Sequence, residues 1–162
     1  MTFEMRKVQA SGKAELYAEL LSQARGLLHG EHDQVANAAN FTALLYHSLP
    51  ELNWVGFYFM QDGELVVGPF QGKPACVRIA LGKGVCGTAA KTRETQVVAD
   101  VNQFPGHIFC DGDSLSELVV PLIRDGKVLG VLDLDSPKLA RFDQEDKRGL
   151  EALAQAFLTS LS

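Results

Sequence analysis

The chain has 162 residues, of which 46% are hydrophobic and 22% charged, and this is the size and composition of one globular domain. The formal net charge is -5, and basic residues occur in runs no longer than Arg6-Lys7 and Lys147-Arg148, which argues against a nucleic-acid partner. The first residues lack the apolar core of a signal peptide, and the longest apolar run, residues 118–123, is too short to span a membrane. We therefore expect a cytoplasmic protein that makes no membrane contact.

Two helices are predicted in the N-terminal third. Apolar residues recur at helical spacing from about Lys13, and Gly30 supplies a stop. A second helix follows Asp33, a suitable N-cap, and ends before Pro50, which cannot continue a helix. Residues 1–12 are predicted to be a flexible N-terminal segment.

The pattern changes to a period of two over residues 53–61, which end at the turn signal Asp62-Gly63 and are predicted to form a strand. Trp54 and Tyr58 share one face of this strand, on either side of a glycine. The two rings either border a slot above that glycine or are simply part of the core.

Further strands are predicted at residues 65–68, 77–81, 96–101, 118–123 and 127–134. The glycine-rich segment 82–87 precedes a short helix, but no GKS or GKT sequence follows and the dinucleotide-binding spacing is missing. Tight turning explains its glycines better than a phosphate site does.

Two acids interrupt the last predicted strand. Asp133 and Asp135 project from one face of an otherwise apolar segment, so they are either solvated near the following Ser136-Pro137 or part of a site. Glu117 begins the preceding strand, and the register decides whether it joins them. A two-residue turn would pair Leu118 with Asp133, whereas a three-residue loop would pair Glu117 with Asp133.

A C-terminal helix completes the predicted fold. Asp143 can cap it, and its apolar residues from Leu150 to Leu161 form one stripe. The element order predicts an α+β fold: one domain over residues 1–162, with about six antiparallel strands and the N- and C-terminal helices packed on one side.

Three cysteines, Cys76, Cys86 and Cys110, form no CxxC pair, and His107 is the one nearby histidine, so structural zinc is not expected. Cys110 lies in a polar segment, residues 102–116, of the kind that is exposed and often functional. Cys86 lies near a predicted helix N-terminus that would favour its thiolate, whereas acids follow Cys110 directly. These local rules favour Cys86 as the reactive thiol.

Five ordered motifs together resemble the free methionine-(R)-sulfoxide reductase family, whose members are built on a GAF domain. The motifs are Trp54-Val55-Gly56-Phe57-Tyr58, Gly82-Lys83-Gly84-Val85-Cys86-Gly87, Phe109-Cys110-Asp111, Ser116-Glu117-Leu118-Val119-Val120-Pro121 and Gly130-Val131-Leu132-Asp133-Leu134-Asp135-Ser136.

The resemblance implies an oxidoreductase that reduces free L-methionine-(R)-S-oxide to methionine by cysteine thiolate attack, sulfenic acid formation and disulfide resolution. It implies that Cys110 is the catalytic nucleophile, that Cys76 is the resolving cysteine and that Cys86 is an alternative disulfide partner of Cys110. Thioredoxin is the implied reductant, no metal or other cofactor is required, and a homodimer is compatible with the family. The implied assignment of Cys110 replaces the local preference for Cys86.

The resemblance also implies a substrate pocket, whose residues would be Trp54, Tyr58, Glu117, Asp133 and Asp135. Clustered acids suit sulfoxide reduction, because a carboxyl group kept neutral by its neighbours can protonate the sulfoxide oxygen while a thiolate attacks sulfur. Which acid donates the proton stays open.

A second hypothesis is a GAF domain that binds a small ligand without catalysis. The cysteines discriminate between the two, because a binding module needs a pocket but no reactive thiol in its covering loops.

Overall fold

The computed structural model describes residues 3–8, 10–108 and 110–162. Within these ranges the helices are α1 (Lys13–Leu28), α2 (Gln34–Ser48), α3 (Gly84–Thr92) and α4 (Gln144–Ser160). The strands are β1 (Trp54–Gln61), β2 (Glu64–Gly72), β3 (Arg78–Ala80), β4 (Gln96–Val98), β5 (Ser116–Arg124) and β6 (Lys127–Ser136), and a short 3₁₀ helix covers Val101–Gln103.

All of these strands belong to one antiparallel sheet in the order β3-β2-β1-β6-β5-β4. The first and last strands of the chain, β1 and β6, are neighbours at its centre. Side chains from distant parts of the sequence therefore meet in the middle of the sheet. The predicted α+β class and antiparallel sheet are confirmed.

The main core lies between one face of the sheet and helices α1, α2 and α4. Phe41 of α2, Phe57 of β1 and Phe157 of α4 are fully buried there, and the ring centroids of Phe57 and Phe157 are 4.4 Å apart. The predicted packing of the N- and C-terminal helices on one side is therefore confirmed. Helix α3 packs against the opposite face, where Cys86 and Ala89 meet Val119 and Val131.

The predicted helix caps are present. A side-chain oxygen of Asp33 accepts a hydrogen bond from the backbone N–H of Ala36 at 2.8 Å. At α4, Asp143 and Asp146 form a reciprocal capping box. Asp146 is buried and also accepts a hydrogen bond from the Tyr17 hydroxyl at 2.7 Å, which joins the starts of α1 and α4.

Two strands end three or more residues away from their predicted ends. Strand β2 continues to Gly72 rather than residue 68, because it pairs with β1 as far as Trp54. Strand β4 stops at Val98 rather than residue 101, because the Asp100 side chain accepts a hydrogen bond from the N–H of Asn102 and begins the 3₁₀ helix.

The predicted flexible segment, residues 1–12, falls partly outside the described residues, since residues 1, 2 and 9 are not among them. The described part of this segment forms no helix or strand, and its flexibility stays a prediction. Each helix in the described ranges is too short or too polar to cross a bilayer.

Candidate active site

Strand β1 carries two aromatic rings on the face of the sheet that packs against α3. Trp54 and Tyr58 are 3% and 2% exposed, and their ring centroids are 5.8 Å apart. The space above Gly56 is not an open slot, because a Cβ there would collide with the Trp54 ring and with Phe70. Both rings instead form a wall of a cavity, so they are core residues and cavity-lining residues together.

Three carboxyl groups lie on the same face of the sheet. Asp135 of β6 pairs in register with Trp54 on one side and with Glu117 on the other, and Asp133 pairs with Gly56. Glu117 and Asp133 are 6% exposed and Asp135 is 9% exposed. The interpretation that the aspartates are solvated near a frayed strand end is therefore wrong, since β6 stays paired on both sides through this region.

The register that brings Glu117 to the aspartates is neither of the two that the sequence allows. The β5–β6 turn has two residues, with Arg124 paired to Lys127, but the register shifts between Leu122 and Ile123. Leu122 then pairs with Gly130, and Glu117 pairs with Asp135. A bulge adds one residue to one strand and so changes every pairing beyond it.

Burial and mutual repulsion change the acidity of the cluster. Burial raises the pKa of Asp133 well above its usual value, and the charges of Asp135 and Glu117 raise it further. Burial and the charge of Glu117 likewise raise the pKa of Asp135. Oδ1 of Asp133 is buried and has no hydrogen-bond partner among the described residues. The cluster can therefore hold a neutral carboxylic acid at a pH where exposed aspartate is ionised.

Cys86 lies in the first turn of α3, as the sequence predicts, but its surroundings reverse the expected effect on its acidity. The residue is 5% exposed, and its Sγ lies 3.9 Å from Oε2 of Glu117. Burial raises the thiol pKa well above its usual value, and the charges of Asp133 and Glu117 raise it further. The local preference for Cys86 as the activated thiol is therefore wrong, because burial beside carboxylates outweighs the helix N-terminus.

Cys76 and Cys110 form a disulfide, with their Cα atoms 5.4 Å apart. Cys76 lies between β2 and β3, and Cys110 lies in the loop before β5. Both are half-buried, and Cys110 lines the cavity. Cys86 is free and buried, so its pairing with Cys110 stays a prediction.

Polar contacts hold the Cys110 loop near the sheet. Nδ2 of Asn53 donates to Oδ2 of Asp111 at 3.1 Å and to Oγ of Ser114 at 3.0 Å. An exposed ion pair of 2.7 Å joins Lys73 to Asp113, and thereby joins the segments that carry the two cysteines. Phe109, part of the predicted motif around Cys110, lies outside the described residues.

His107 is a cavity residue that the sequence interpretation missed as part of the site. Its Nε2 lies 3.7 Å from Oε1 of Glu117, and its side chain is 8% exposed. Its position three residues before Cys110 on the same loop is the signal that could have drawn attention to it. Its imidazole places a basic group beside an otherwise acidic cluster.

The described residues include one group with the ligand spacing of a metal site. Ligand atoms of Cys86, Glu117 and Asp133 lie within 4.8 Å of one another. The carboxyl groups of Glu117 and Asp133 can also share protons with a bound molecule or hold a cationic group, and neither of these uses requires a metal.

The comparisons with known proteins point to one family. The family model for the GAF domain matches residues 42–159. The chain is 53% identical to the protein YtsP of Bacillus subtilis, across 95% of this chain and 96% of that one. It is 50% identical to the free methionine-R-sulfoxide reductase of Escherichia coli, across 87% of this chain and 86% of that one.

A solved structure gives the same result. The free methionine-R-sulfoxide reductase of Neisseria meningitidis, determined in complex with its substrate, superposes with a TM-score of 0.94 at 44% identity, across 99% of this chain and 96% of that one. Sequence and structure therefore agree over nearly the whole chain. The chain belongs to the free methionine-(R)-sulfoxide reductase family, which is built on the GAF domain.

Proposed function

We propose that this protein reduces free L-methionine-(R)-S-oxide to methionine, with Cys110 as nucleophile. The observation that carries the proposal is the position of Cys110 on a cavity that is also lined by Glu117, Asp133 and Asp135. A reactive sulfur and a proton donor are thereby available to one substrate molecule. Relatives of the same length, named for this activity, support the assignment.

In the first step the Cys110 thiolate attacks the sulfoxide sulfur while a neutral carboxyl group protonates the oxygen. The oxygen passes to Cys110, which becomes a sulfenic acid, and methionine leaves as the thioether. The raised pKa of Asp133 and Asp135 supports one of them as the donor, because the donor must carry its proton when the substrate binds.

The same cluster gives a reason for a free amino acid as substrate. Once one acid is protonated, the remaining negative charge can hold the α-ammonium group, which a residue inside a peptide lacks. The Trp54 ring lies in register with Asp135 on the neighbouring strand and offers an apolar surface for the S-methyl group. A fixed position for both groups would select one sulfoxide epimer.

In the second step the Cys76 thiol condenses with the sulfenic acid of Cys110, which forms the disulfide and releases water. A dithiol reductant then reduces the disulfide, and we propose thioredoxin for this role and the cytoplasm as the compartment. A homodimer stays a prediction.

The decisive experiment measures turnover of both epimers of free methionine sulfoxide, and of a peptide-bound sulfoxide, with thioredoxin as reductant. We expect turnover of the free R epimer alone. Cys110→Ser should abolish methionine release. Cys76→Ser should retain release in a single turnover and lose much of its thioredoxin-driven turnover, unless Cys86 substitutes as the resolving thiol. A Cys110→Ser protein that reduces the substrate at the parental rate contradicts the assignment.

The same experiment tests the second hypothesis, a non-catalytic GAF module. Binding of a small ligand without turnover of any sulfoxide would support that hypothesis. Unchanged ligand affinity in Cys110→Ser would then separate binding from thiol chemistry.

A further inference from the structure

The polar ends of the two cavity aromatics contact the segment that carries Cys76. The indole N–H of Trp54 donates a hydrogen bond to the backbone carbonyl of Lys73 at 3.1 Å. The hydroxyl of Tyr58 donates to the backbone carbonyl of Cys76 itself at 3.0 Å. Two donors on one strand therefore hold both ends of the four-residue segment 73–76.

These donors have fixed positions. Trp54 stacks on Tyr58 and on Phe70, with the Trp54 and Phe70 centroids 5.2 Å apart. Both donor residues are almost fully buried. Burial raises the pKa of the Tyr58 hydroxyl, and the charge of Asp133 raises it further, so the hydroxyl keeps its proton and remains a donor.

A further polar contact of this segment is weaker. The Lys73–Asp113 ion pair joins it to the Cys110 loop, but the two side chains are 68% and 63% exposed. Exposed pairs of this kind contribute little, because water and salt screen them. The partly buried hydrogen bonds from the aromatic rings, whose donors have fixed positions, can therefore fix the Cys76 backbone beside the cavity.

We propose that Tyr58 and Trp54 are positioning residues for disulfide formation, which hold segment 73–76 so that the Cys76 thiol meets the sulfenic acid of Cys110. This inference rests on the proposed function and extends it to the second step. In that step the Cys76 sulfur bonds to the Cys110 sulfur, the S–O bond breaks, and the thiol proton leaves with the hydroxyl group as water. The aromatic wall of the cavity would thus serve the resolving cysteine in addition to the substrate.

The test bypasses the sulfoxide, so that it does not depend on substrate binding. Reduced protein is treated with hydrogen peroxide, which oxidises the Cys110 thiolate to the sulfenic acid and is itself reduced to water. The subsequent Cys76–Cys110 disulfide is followed over time by mass spectrometry of peptides. Tyr58→Phe keeps the ring and removes the donor, Trp54→Phe removes the indole N–H, and Lys73→Ala is the matched control that removes the exposed ion pair alone.

We expect disulfide formation about fivefold slower in Tyr58→Phe, the effect of one neutral hydrogen bond. The equilibrium constant for reduction of its disulfide by dithiothreitol should rise about fivefold. For a two-electron couple this corresponds to a reduction potential about 20 mV higher. Lys73→Ala should stay within twofold of the parent. A rate change below threefold in Tyr58→Phe overturns the proposal, and Trp54→Phe is judged by the same limit if Tyr58→Phe does not fold.

The two proposals fail separately in these measurements. A parent protein that reduces no sulfoxide, but whose disulfide forms more slowly in Tyr58→Phe, would contradict the proposed function and retain the positioning role. A parent that reduces free methionine-(R)-sulfoxide, but forms its disulfide no faster than Tyr58→Phe does, would support the proposed function and contradict the positioning role.

Discussion

Asp133 and Asp135 are costly residues in the centre of a sheet. Each is buried beside other carboxyl groups, and its raised pKa means that the folded protein favours the protonated form. Such a group opposes folding at neutral pH, because the unfolded chain can ionise it freely in water. The proton donation to a sulfoxide that we propose above would give a reason for the presence of both.

Asp135→Asn should affect activity and stability in opposite directions. We expect methionine release in a single turnover at pH 7 to fall by about 10²-fold, because a positioned proton donor contributes on that order. The parental rate should also decline at alkaline pH, as the raised carboxyl pKa is passed and the donor loses its proton. Asp125→Asn, in the exposed turn after β5, is the matched control and should leave the rate unchanged.

The stability of Asp135→Asn follows from the sign of the pKa shift. The parent's folded state binds more protons than its unfolded state between the unfolded and folded pKa values of Asp135, so parental stability falls as pH rises through that window. The variant has no ionisable group at this position, so its stability does not fall in this way as pH rises. Urea unfolding should therefore show the variant to be more stable than the parent at pH 7 but not below pH ~3.8. An unaltered rate together with unaltered stability would remove Asp135 from the site.

Individual residues differ in how far the sequence predicts their role. Asp133 and Asp135 are visible as polar anomalies in an apolar strand, and the spacing of two places them on one face. The raised thiol pKa of Cys86 cannot be recognised from the sequence, since the carboxylates near its thiol come from β5 and β6. His107 is similarly difficult to recognise, because its contact with Glu117 depends on how a loop folds back.

At the level of elements, the pairing of β1 with β6 brings the aromatic and acidic groups together. Gly130 is part of this pairing, opposite Phe59. A Cβ at this glycine would collide with the carbonyl oxygen of Tyr58 and lie 2.9 Å from Cα of Phe59. The two backbones approach so closely there that a side chain does not fit.

Gly130→Ala should therefore destabilise the protein, by about 1–3 kcal/mol in the free energy of unfolding, because the strands must separate to admit the methyl group. Gly26→Ala is the matched control in α1. A Cβ at Gly26 has no atom within 4 Å, and alanine favours a helix, so this variant should be more stable by about 0.5–1 kcal/mol. Urea denaturation measures both, and equal stability of the two variants would contradict the close approach of β1 and β6.

The elements themselves were largely predictable, whereas the β5–β6 register was not. Caps at Asp33 and Asp143 and the period of the apolar residues identify the helices, and these are local signals. The register depends on the shift between Leu122 and Ile123, which the turn residues do not determine. Leu122, at the shift, is fully buried in the core with residues of α1, α2 and α4, and this tertiary packing is not encoded in the turn.

At the level of the whole molecule, the Cys76–Cys110 disulfide joins the two loops that cover the cavity, across a sequence separation of 34 residues. A cross-link of this length restricts the unfolded chain substantially, so the oxidised protein should be more stable than the reduced one. The redox cycle proposed above would therefore alternate between two forms of different stability.

Urea denaturation of the oxidised and the reduced protein should show this difference directly. We expect the oxidised form to unfold with a free energy about 3–4 kcal/mol larger, from the loop-closure entropy of the cross-link. Cys110→Ser can form neither this disulfide nor the alternative one with Cys86, and should give the same unfolding curve under oxidising and reducing conditions. A difference below about 1 kcal/mol in the parent would show that the disulfide strains the folded state by nearly as much as it restricts the unfolded one.

The sequence by itself determined the α+β class, the helices, most strand positions and the placement of Trp54, Tyr58, Asp133 and Asp135 on common strand faces, because capping, turn chemistry and periodicity act over a few residues. Through its ordered motifs it also identified the family. Tertiary structure alone decided that Glu117 lies opposite Asp135 and that the aromatic donors contact the Cys76 segment, and it chose Cys76 over Cys86 from the two partners of Cys110 that the resemblance allowed. These relations join residues far apart in the chain, and no local pattern encodes the desolvation and charge that they create.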